Sequence, residues 1–487
     1  MSQHTQDTNL TDQNRETFDE KIPTTKSQRQ YGQALWTLTL GLRGEVILPG
    51  DPDFEAARKV WNGSYDCYPA IIVRCADAED VRAAIAFARE QDLAVSVRSG
   101  GHSMVAYGTN NGGIVIDLSA MKAIHVDPVQ RIARLEPGLT WGEVANTLQP
   151  YGLALTSGDT GTVGVGGLLL GGGIGWMVRK FGLTLDHLRA VELVTAEGKF
   201  IRASADEHAE LFWGLRGGGG NFGVATAFEV NLDPVGIVLG GAVFYDMTEA
   251  EGILQEYARY AAAAPDELTT MAFLMAAPPA PFIPPSKQGA PVVVIFLCYT
   301  GDIAQGEQVV APLRKLGTVI ADVISPIPYP VMFTFTEEAA KPGLPQYIRS
   351  LFAHHLGEEA IRTLVTNASG VISPETMVQI RILGGAMSRV AVDATAFAHR
   401  DKQVLLSVID TGLRPGNNEH LNGAKQLWQA LSPYAEGVYV NFLMEEGEQR
   451  VHQAYPPATY ARLITLKKRY DPTNVFHLNQ NIKPKTN

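Results

Sequence analysis

The sequence predicts a mixed helix-and-strand chain in two unlike parts. Up to about residue 235, short strands and helices are strung between glycine clusters, and beyond that an antiparallel sheet is backed by helices. Three observations carry this. Short β-rich runs alternate with segments of helical apolar spacing from Ala70 onward. Glycine clusters at 100–101, 158–175 and 217–223 all precede the Asp233-Pro234-Val235-Gly236 boundary. After that boundary the clusters vanish, and strands such as Val292–Tyr299 alternate with helices such as Thr248–Ala263 and Ile303–Leu316.

Composition narrows the function classes. The 487 residues suffice for two or three domains, with 45% hydrophobic and 19% charged residues. A net charge of −11 argues against nucleic acid and against an anionic membrane surface as partner. Cys67, Cys75 and Cys298 form no disulfide framework and no metal-type spacing, so no metal site is expected. With no long apolar run and no secretory signal pattern, the expectation is a cytoplasmic protein, monomer or homodimer.

Residues 1 to about 30 are rich in Gln, Thr, Asn and Asp, and the stretch 1–40 is expected to be largely disordered, with order starting between Tyr31 and Gly41. Gly44–Ile47 and the turn at 49–52 open the folded part, and Phe54–Trp61 suits a helix. Ala70–Arg74 is β-rich. Asp77–Gln91 is helical, with Val81, Ala84, Ile85 and Ala88 along one face. Val95–Arg98 and Gly113–Leu118 are strands, and Ile124–Val126 pairs with Ile132–Leu135 as a hairpin. Thr140 and Glu143 form a capping box for a helix to Leu148. Leu188–Thr195 and Phe200-Ile201 are strands, Glu210–Arg216 is a short helix, and Val224–Val230 is β-rich. Later, Gln379–Leu383 and Gly437–Phe442 suit strands, which would put Gln379 with Arg381, and Tyr439 with Asn441, on common faces. Pro278–Pro285 is a loop and Pro457–Tyr470 a helix.

The chemistry gathers at the glycines. Strand 95–98 runs into Ser99-Gly100-Gly101-His102-Ser103, where successive backbone N–H groups can form an anion nest suited to a diphosphate, with Arg98 as adjacent positive charge and His102 as a nucleophilic imidazole. From Gly158 to Gly175, nine of eighteen residues are glycine, too many for a helix or strand interior. The interleaved valines and leucines point instead to a packed loop around something large and partly apolar, such as a flavin with its diphosphate. Gly218–Gly223 spells G-x-G-x-x-G, but a helix precedes it and a strand follows, the reverse of a Rossmann fingerprint.

These clusters, with Arg98-Ser99-Gly100-Gly101-His102 and the tail Tyr-Asp-Pro-Thr-Asn-x-Phe-x-x-Asn-Gln-Asn at 470–481, resemble the berberine-bridge-enzyme-like oxidoreductases of the PCMH-type (vanillyl-alcohol-oxidase-like) flavoproteins, from about Gly44 to Pro484. The resemblance implies an α+β fold. It comprises a PCMH-type FAD-binding domain of two subdomains over 41–235, a substrate domain with an antiparallel sheet over 236–435, and a C-terminal segment, 436–487, returning to the FAD domain. It implies FAD bonded through the ring of His102. Its cofactor contacts would come from Arg98, Ser99, Gly100, Gly101, Ser103, Thr160, Thr162, Val163, Gly164, Gly166, Gly167, Gly171, Gly219, Asn221, Val224, Asn479 and Asn481. Two departures stand out. Thr160 replaces the cysteine that makes a second covalent link in many members, so a single link is expected. Phe442 replaces the second tyrosine of Tyr-x-Asn-Tyr, so deprotonation falls to another group, to water, or is not needed for an amine substrate already neutral. Tyr439, Gln379, Arg381 and Asn441 are the catalytic-site candidates. Valine at 163 goes with oxygen reactivity in the family. The expected function is an FAD-dependent oxidase that takes hydride from a small alcohol, amine or sugar and passes electrons to O₂. A dehydrogenase with another acceptor, or a flavin-binding protein without turnover, remain alternatives.

Overall fold

The computed structural model describes residues 26–412 and 419–484. Residues 1–25, most of the expected disordered tail, lie outside these. Lys26–Gly41 is a helix, so order is present from Lys26, a little before the expected start between Tyr31 and Gly41. Tyr31, Leu35 and Leu38 recur at helical spacing and are buried, and Tyr31 meets Phe87 edge-on at 6.1 Å between ring centroids. The stripe is short and set among polar residues, so average composition conceals it.

Three larger sheets follow in chain order, besides a two-stranded antiparallel pair of Leu153–Ala154 with Asp233–Pro234. In the first, Glu45–Ile47 pairs antiparallel with Ile71–Arg74, and Ile114–Asp117 lies parallel between Ile71–Arg74 and Val95–Arg98. The three parallel strands are buried on both faces, as parallel strands usually are. The covering helix Ala78–Glu90 starts at Asp77, whose side chain accepts from the N–H groups of Glu79 and Asp80. The second sheet is antiparallel, in the order Ile124–Asp127, Ile132–Leu135, Val224–Asn231, Leu188–Val194, Phe200–Ser204. The expected capping box at Thr140 and Glu143 opens the helix Trp141–Leu148.

The third sheet is antiparallel throughout, with Ile237–Asp246, Pro291–Tyr299, Leu268–Ala276, Thr376–Ile382, Val404–Asp410 and Tyr347–Ala353 in that order. Period-2 geometry divides its faces. Ala272, Leu274, Val378 and Ile380 pack under the helices Ala250–Ala263 and Glu358–Ala368, while Met271, Phe273 and Met377 point the other way, toward the first two sheets. Gln379 and Arg381 share that second face.

Three local expectations are corrected. The helix at 54–61 is cut to Phe54–Ala57, because Trp61 is drawn away to bond the Gly101 carbonyl. The glycine-rich stretch is not all loop, since Val165–Gly171 is helical, with Val165, Leu169 and Leu170 buried. Packing of these apolar residues outweighs the poor helix propensity of Gly166 and Gly167. Residues 437–442 are not a strand. Only Glu436 and Gly437 bond the sheet edge, at Phe352, and the chain then leaves it for a tight turn over Val440–Phe442.

The helix Pro457–Tyr470 packs beside Ala209–Leu215 and ends in a buried ion pair, Lys467–Asp471, at 2.7 Å with both side chains fully buried. Lys467 Nζ also donates to the carbonyls of Asn221 and Phe476, at 3.0 and 2.8 Å, and Asp471 accepts from the N–H groups of Val475 and Phe476. Burial lowers the Lys467 ammonium, with Asp471 pulling against it. Asp471→Ala leaves that ammonium buried without its carboxylate. Urea unfolding should show a loss of about 3–5 kcal/mol, whereas a loss below about 1 kcal/mol would mean the pair is not what anchors the C-terminal segment.

Candidate active site

The site is built where the glycine clusters meet. The first and second cross backbone to backbone: a Cβ at Gly100 would collide with the Gly164 nitrogen, and one at Gly164 with the Gly100 nitrogen. Ser99 fastens the crossing, its hydroxyl donating to the Pro137 carbonyl and accepting from the Gly166 N–H at 3.2 Å. The third cluster joins the second through the N–H groups of Gly217 and Gly219, both bonded to the Leu170 carbonyl at 2.9 and 3.1 Å. Asn221 ties the C-terminal tail to this junction. Its amide donates to the carbonyls of Gly218 and Gln480, and its Oδ1 accepts from the Ile482 N–H at 3.0 Å. Together these loops enclose a cleft of about 390 Å³ that continues under the third sheet.

Arg98, Ser99, Gly100, Gly101, His102, Ser103, Thr160, Val163, Gly164, Gly166, Gly167, Gly219, Asn221, Val224 and Asn479 all line this cleft, as do Tyr439, Gln379, Arg381 and Asn441. Thr162, Gly171 and Asn481 do not. Thr162 faces a cavity on the far side of the 98–102 loop. Gly171 packs so closely on Asn441 that a Cβ would strike its side-chain oxygen. Arg98 departs from the expectation of a spare positive charge. It is buried and pairs with Asp117 at 2.8 Å. Burial raises the Asp117 carboxyl, and the charge and hydrogen bonds of Arg98 outweigh it, leaving the group below its ordinary range. The charge of Arg98 is thus already met by Asp117, and the loop's backbone N–H groups are the donors left to face an anion.

His102 stacks on Trp61, with centroids 4.9 Å apart and planes 20° from parallel. Burial pushes the imidazole down to about 4, against a hydrogen bond to the Thr162 backbone that works in the opposite direction. The ring is thus neutral at physiological pH, with a free lone pair.

At the other end of the cleft lies a group that motif reasoning did not find, Asp159. Arg381 donates to its Oδ2 at 2.6 Å, to Gln379 Oε1 at 3.1 and 2.9 Å, and to the Ile174 carbonyl at 3.0 Å. Asp159 is the sole charged residue between Gly158 and Val178, and that isolation was the available signal. The guanidinium also sits 5.5 Å from the centroid of the Phe442 ring. Tyr439 Oη accepts from the Gly173 N–H at 2.8 Å and from Asn441 Nδ2 at 2.9 Å. Burial raises its phenol to about 12, so it remains a protonated strut. Phe273, Ile348, Met377, Ile409 and Phe442 supply an apolar wall.

The residues present fit an elongated dinucleotide. No atom lies within 4 Å of where a Cβ would stand at Gly167, Gly219 or Gly220, so backbone faces the space bare. The side-chain oxygens of Asn479 and Asn481 are buried without a hydrogen-bond partner. Among the described residues no helix is long and apolar enough to cross a membrane.

Comparison with known proteins agrees with this geometry. An FAD binding domain model matches residues 69–204, and a berberine and berberine-like model matches 438–483. The chain is 32% identical to (R)-6-hydroxynicotine oxidase of Paenarthrobacter nicotinovorans over 465 residues, covering 91% of this chain and 98% of that protein. A crystal structure of 6-hydroxy-D-nicotine oxidase from Arthrobacter nicotinovorans superposes with a TM-score of 0.82 at 31% identity, over 92% of this chain and 99% of that one. The fold is shared as well with glucooligosaccharide oxidase of Acremonium strictum, described as carrying a 6-S-cysteinyl, 8α-N1-histidyl FAD. The TM-score there is 0.80 at 24% identity, over 91% of this chain and 98% of that one. With both family models matching and near-full-length identity above 30%, the chain belongs to the berberine-like family of FAD-linked oxidoreductases.

Proposed function

We propose that the chain is an FAD-dependent oxidase, with its flavin attached through His102 alone, acting on a small alcohol or amine. The observation that carries this reading is the convergence of three glycine clusters on one cleft walled by a neutral imidazole. A flavin held in this cleft would supply a hydride acceptor for the carbon bearing the alcohol or amine and a path for the two electrons to O₂, with H₂O₂ as product.

The chain's own residues hold, orient and exclude. Bare backbone at Gly167, Gly219 and Gly220 would cradle the diphosphate, and the unpartnered oxygen of Asn479, which lines the cleft, would accept a hydrogen bond from the cofactor. Thr160 offers no thiol, so no second link forms. Val163 stands half-buried on the cleft wall beside Gly164, where the family resemblance associates a valine with oxygen reactivity. The apolar wall excludes water and matches a compact substrate rather than an oligosaccharide, which would need many polar partners. Gln379 and Arg381 fix the carboxylate of Asp159 at the polar end. Phe442 carries no proton-accepting group and Tyr439 is held protonated. Asp159, the one carboxylate among the described residues lining the cleft, therefore takes the substrate proton.

Acid precipitation tests the attachment. Yellow colour should stay with the wild-type pellet and wash into the supernatant from His102→Ala, which still binds FAD before acid and oxidises substrate about tenfold more slowly. Colour released from the wild type would exclude the linkage.

The pH dependence of attachment has a definite sign. A lowered pKa means the charged ring appears only as pH falls toward about 4, so the rate at which apoprotein captures FAD irreversibly should be flat from about pH 5.5 to 8. An inflection near about 6.5 would show that His102 titrates as an exposed histidine.

In anaerobic bleaching with an alcohol or amine found by panel screening, Asp159→Asn should slow flavin reduction about tenfold or more with flavin content unchanged. Wild-type bleaching by this variant would remove Asp159 from the reaction.

A further inference from the structure

Trp61 has no part in the reading above, yet it occupies a constrained place. Its indole lies flat on His102, and its backbone N–H bonds the Gly101 carbonyl at 3.1 Å. Its Nε1 donates to the Ala340 carbonyl at 2.7 Å, in a buried contact with the third-sheet half of the chain. The next two residues add to that contact. The Asn62 side chain accepts from the Gln346 N–H at 3.1 Å and donates to the Met104 carbonyl at 2.6 Å. Gly63 N–H bonds the Leu344 carbonyl, and Gly343 N–H bonds the Trp61 carbonyl. Gly63 fits so tightly that a Cβ would strike the Gly343 carbonyl. Residues 340–346 thus form a strap pinned across Trp61, and through it onto His102.

We infer that Trp61, clamped by the 340–346 strap, is the positioning residue that holds the His102 ring in the orientation required for covalent attachment of the flavin. The inference rests on the proposed His102 linkage. A flat partner on its face restrains an imidazole about its side-chain torsions, and Trp61 is that partner. In the neutral ring one nitrogen carries the proton and the other presents its lone pair. Attachment forms the bond from that nitrogen to the 8α carbon. One proton leaves the methyl group and one leaves the ring N–H, and two electrons pass through the flavin to O₂, which departs as H₂O₂. A ring free to rotate would present the lone pair only part of the time, and the loss would appear in the rate of attachment rather than in FAD affinity.

The test uses full-length apoprotein mixed with FAD in air, following acid-resistant flavin over time, with total bound flavin and circular dichroism measured in parallel. Trp61→Leu should bind FAD non-covalently but attach it at least tenfold more slowly, whereas Trp61→Phe, which keeps a flat face, should stay within about threefold of wild type. Gly63→Ala, which displaces the strap without touching either ring, should slow attachment about fivefold and decides alone if Trp61→Leu does not fold. Wild-type rates in Trp61→Leu or Gly63→Ala would overturn the inference. Acid-extractable flavin in the wild type would instead overturn the linkage on which it rests.

Discussion

The active cleft depends on one contact, the crossing of Gly100 over Gly164. Backbone meets backbone there with no space for a side chain on either strand of chain. The approach brings the turn after a parallel strand against the start of the helix Val165–Gly171, and Ser99 closes it from both sides. Two segments more than sixty residues apart thereby expose their N–H groups to one volume. Van der Waals exclusion makes the geometry all-or-none, because a methyl group at either position must push the loops apart.

Around this crossing the charges are committed rather than free. Arg98 is held by Asp117, Arg381 by Asp159 and Lys467 by Asp471, and each cation is buried. Buried pairs contribute little net stability once desolvation is counted, so their value here is positional. Arg98 stiffens the strand that delivers the 99–103 loop. Lys467 joins the C-terminal tail to the third glycine cluster through the Asn221 and Phe476 carbonyls. Arg381 anchors the polar end of an otherwise apolar pocket. None of these three cations is left over at the cleft, where backbone N–H dipoles are the donors that need no counter-ion and do not titrate.

The two departures from family motifs belong to the same end of the cleft. Thr160 bonds within Asp159 and Thr336, and its neighbour Asp159 reaches Arg381. Phe442 lies under that guanidinium. Position 160 thus offers no thiol and position 442 no phenol, at the end of the cleft where the Asp159 carboxylate is held by Arg381.

Much of this was legible in the chain before any coordinates. Periodicity located Gln379 and Arg381 on one face because a strand's side chains alternate whatever it packs against, and the Thr140–Glu143 capping box is equally local. The glycine clusters and the tail motif identified the family. What local rules missed was decided by tertiary packing. The 165–171 helix forms despite its glycines because Val165, Leu169 and Leu170 are buried. Residues 437–442 leave the sheet so that Tyr439 can reach Gly173, and the helix at 54 stops early because Trp61 is needed against His102. Sequence alone determined which residue types were available and their local periods. Only the folded chain decided that Arg98 is neutralised, that Asp159 meets Arg381 222 positions away, and that an indole lies flat on the imidazole, since each depends on contacts between segments that no local spacing encodes.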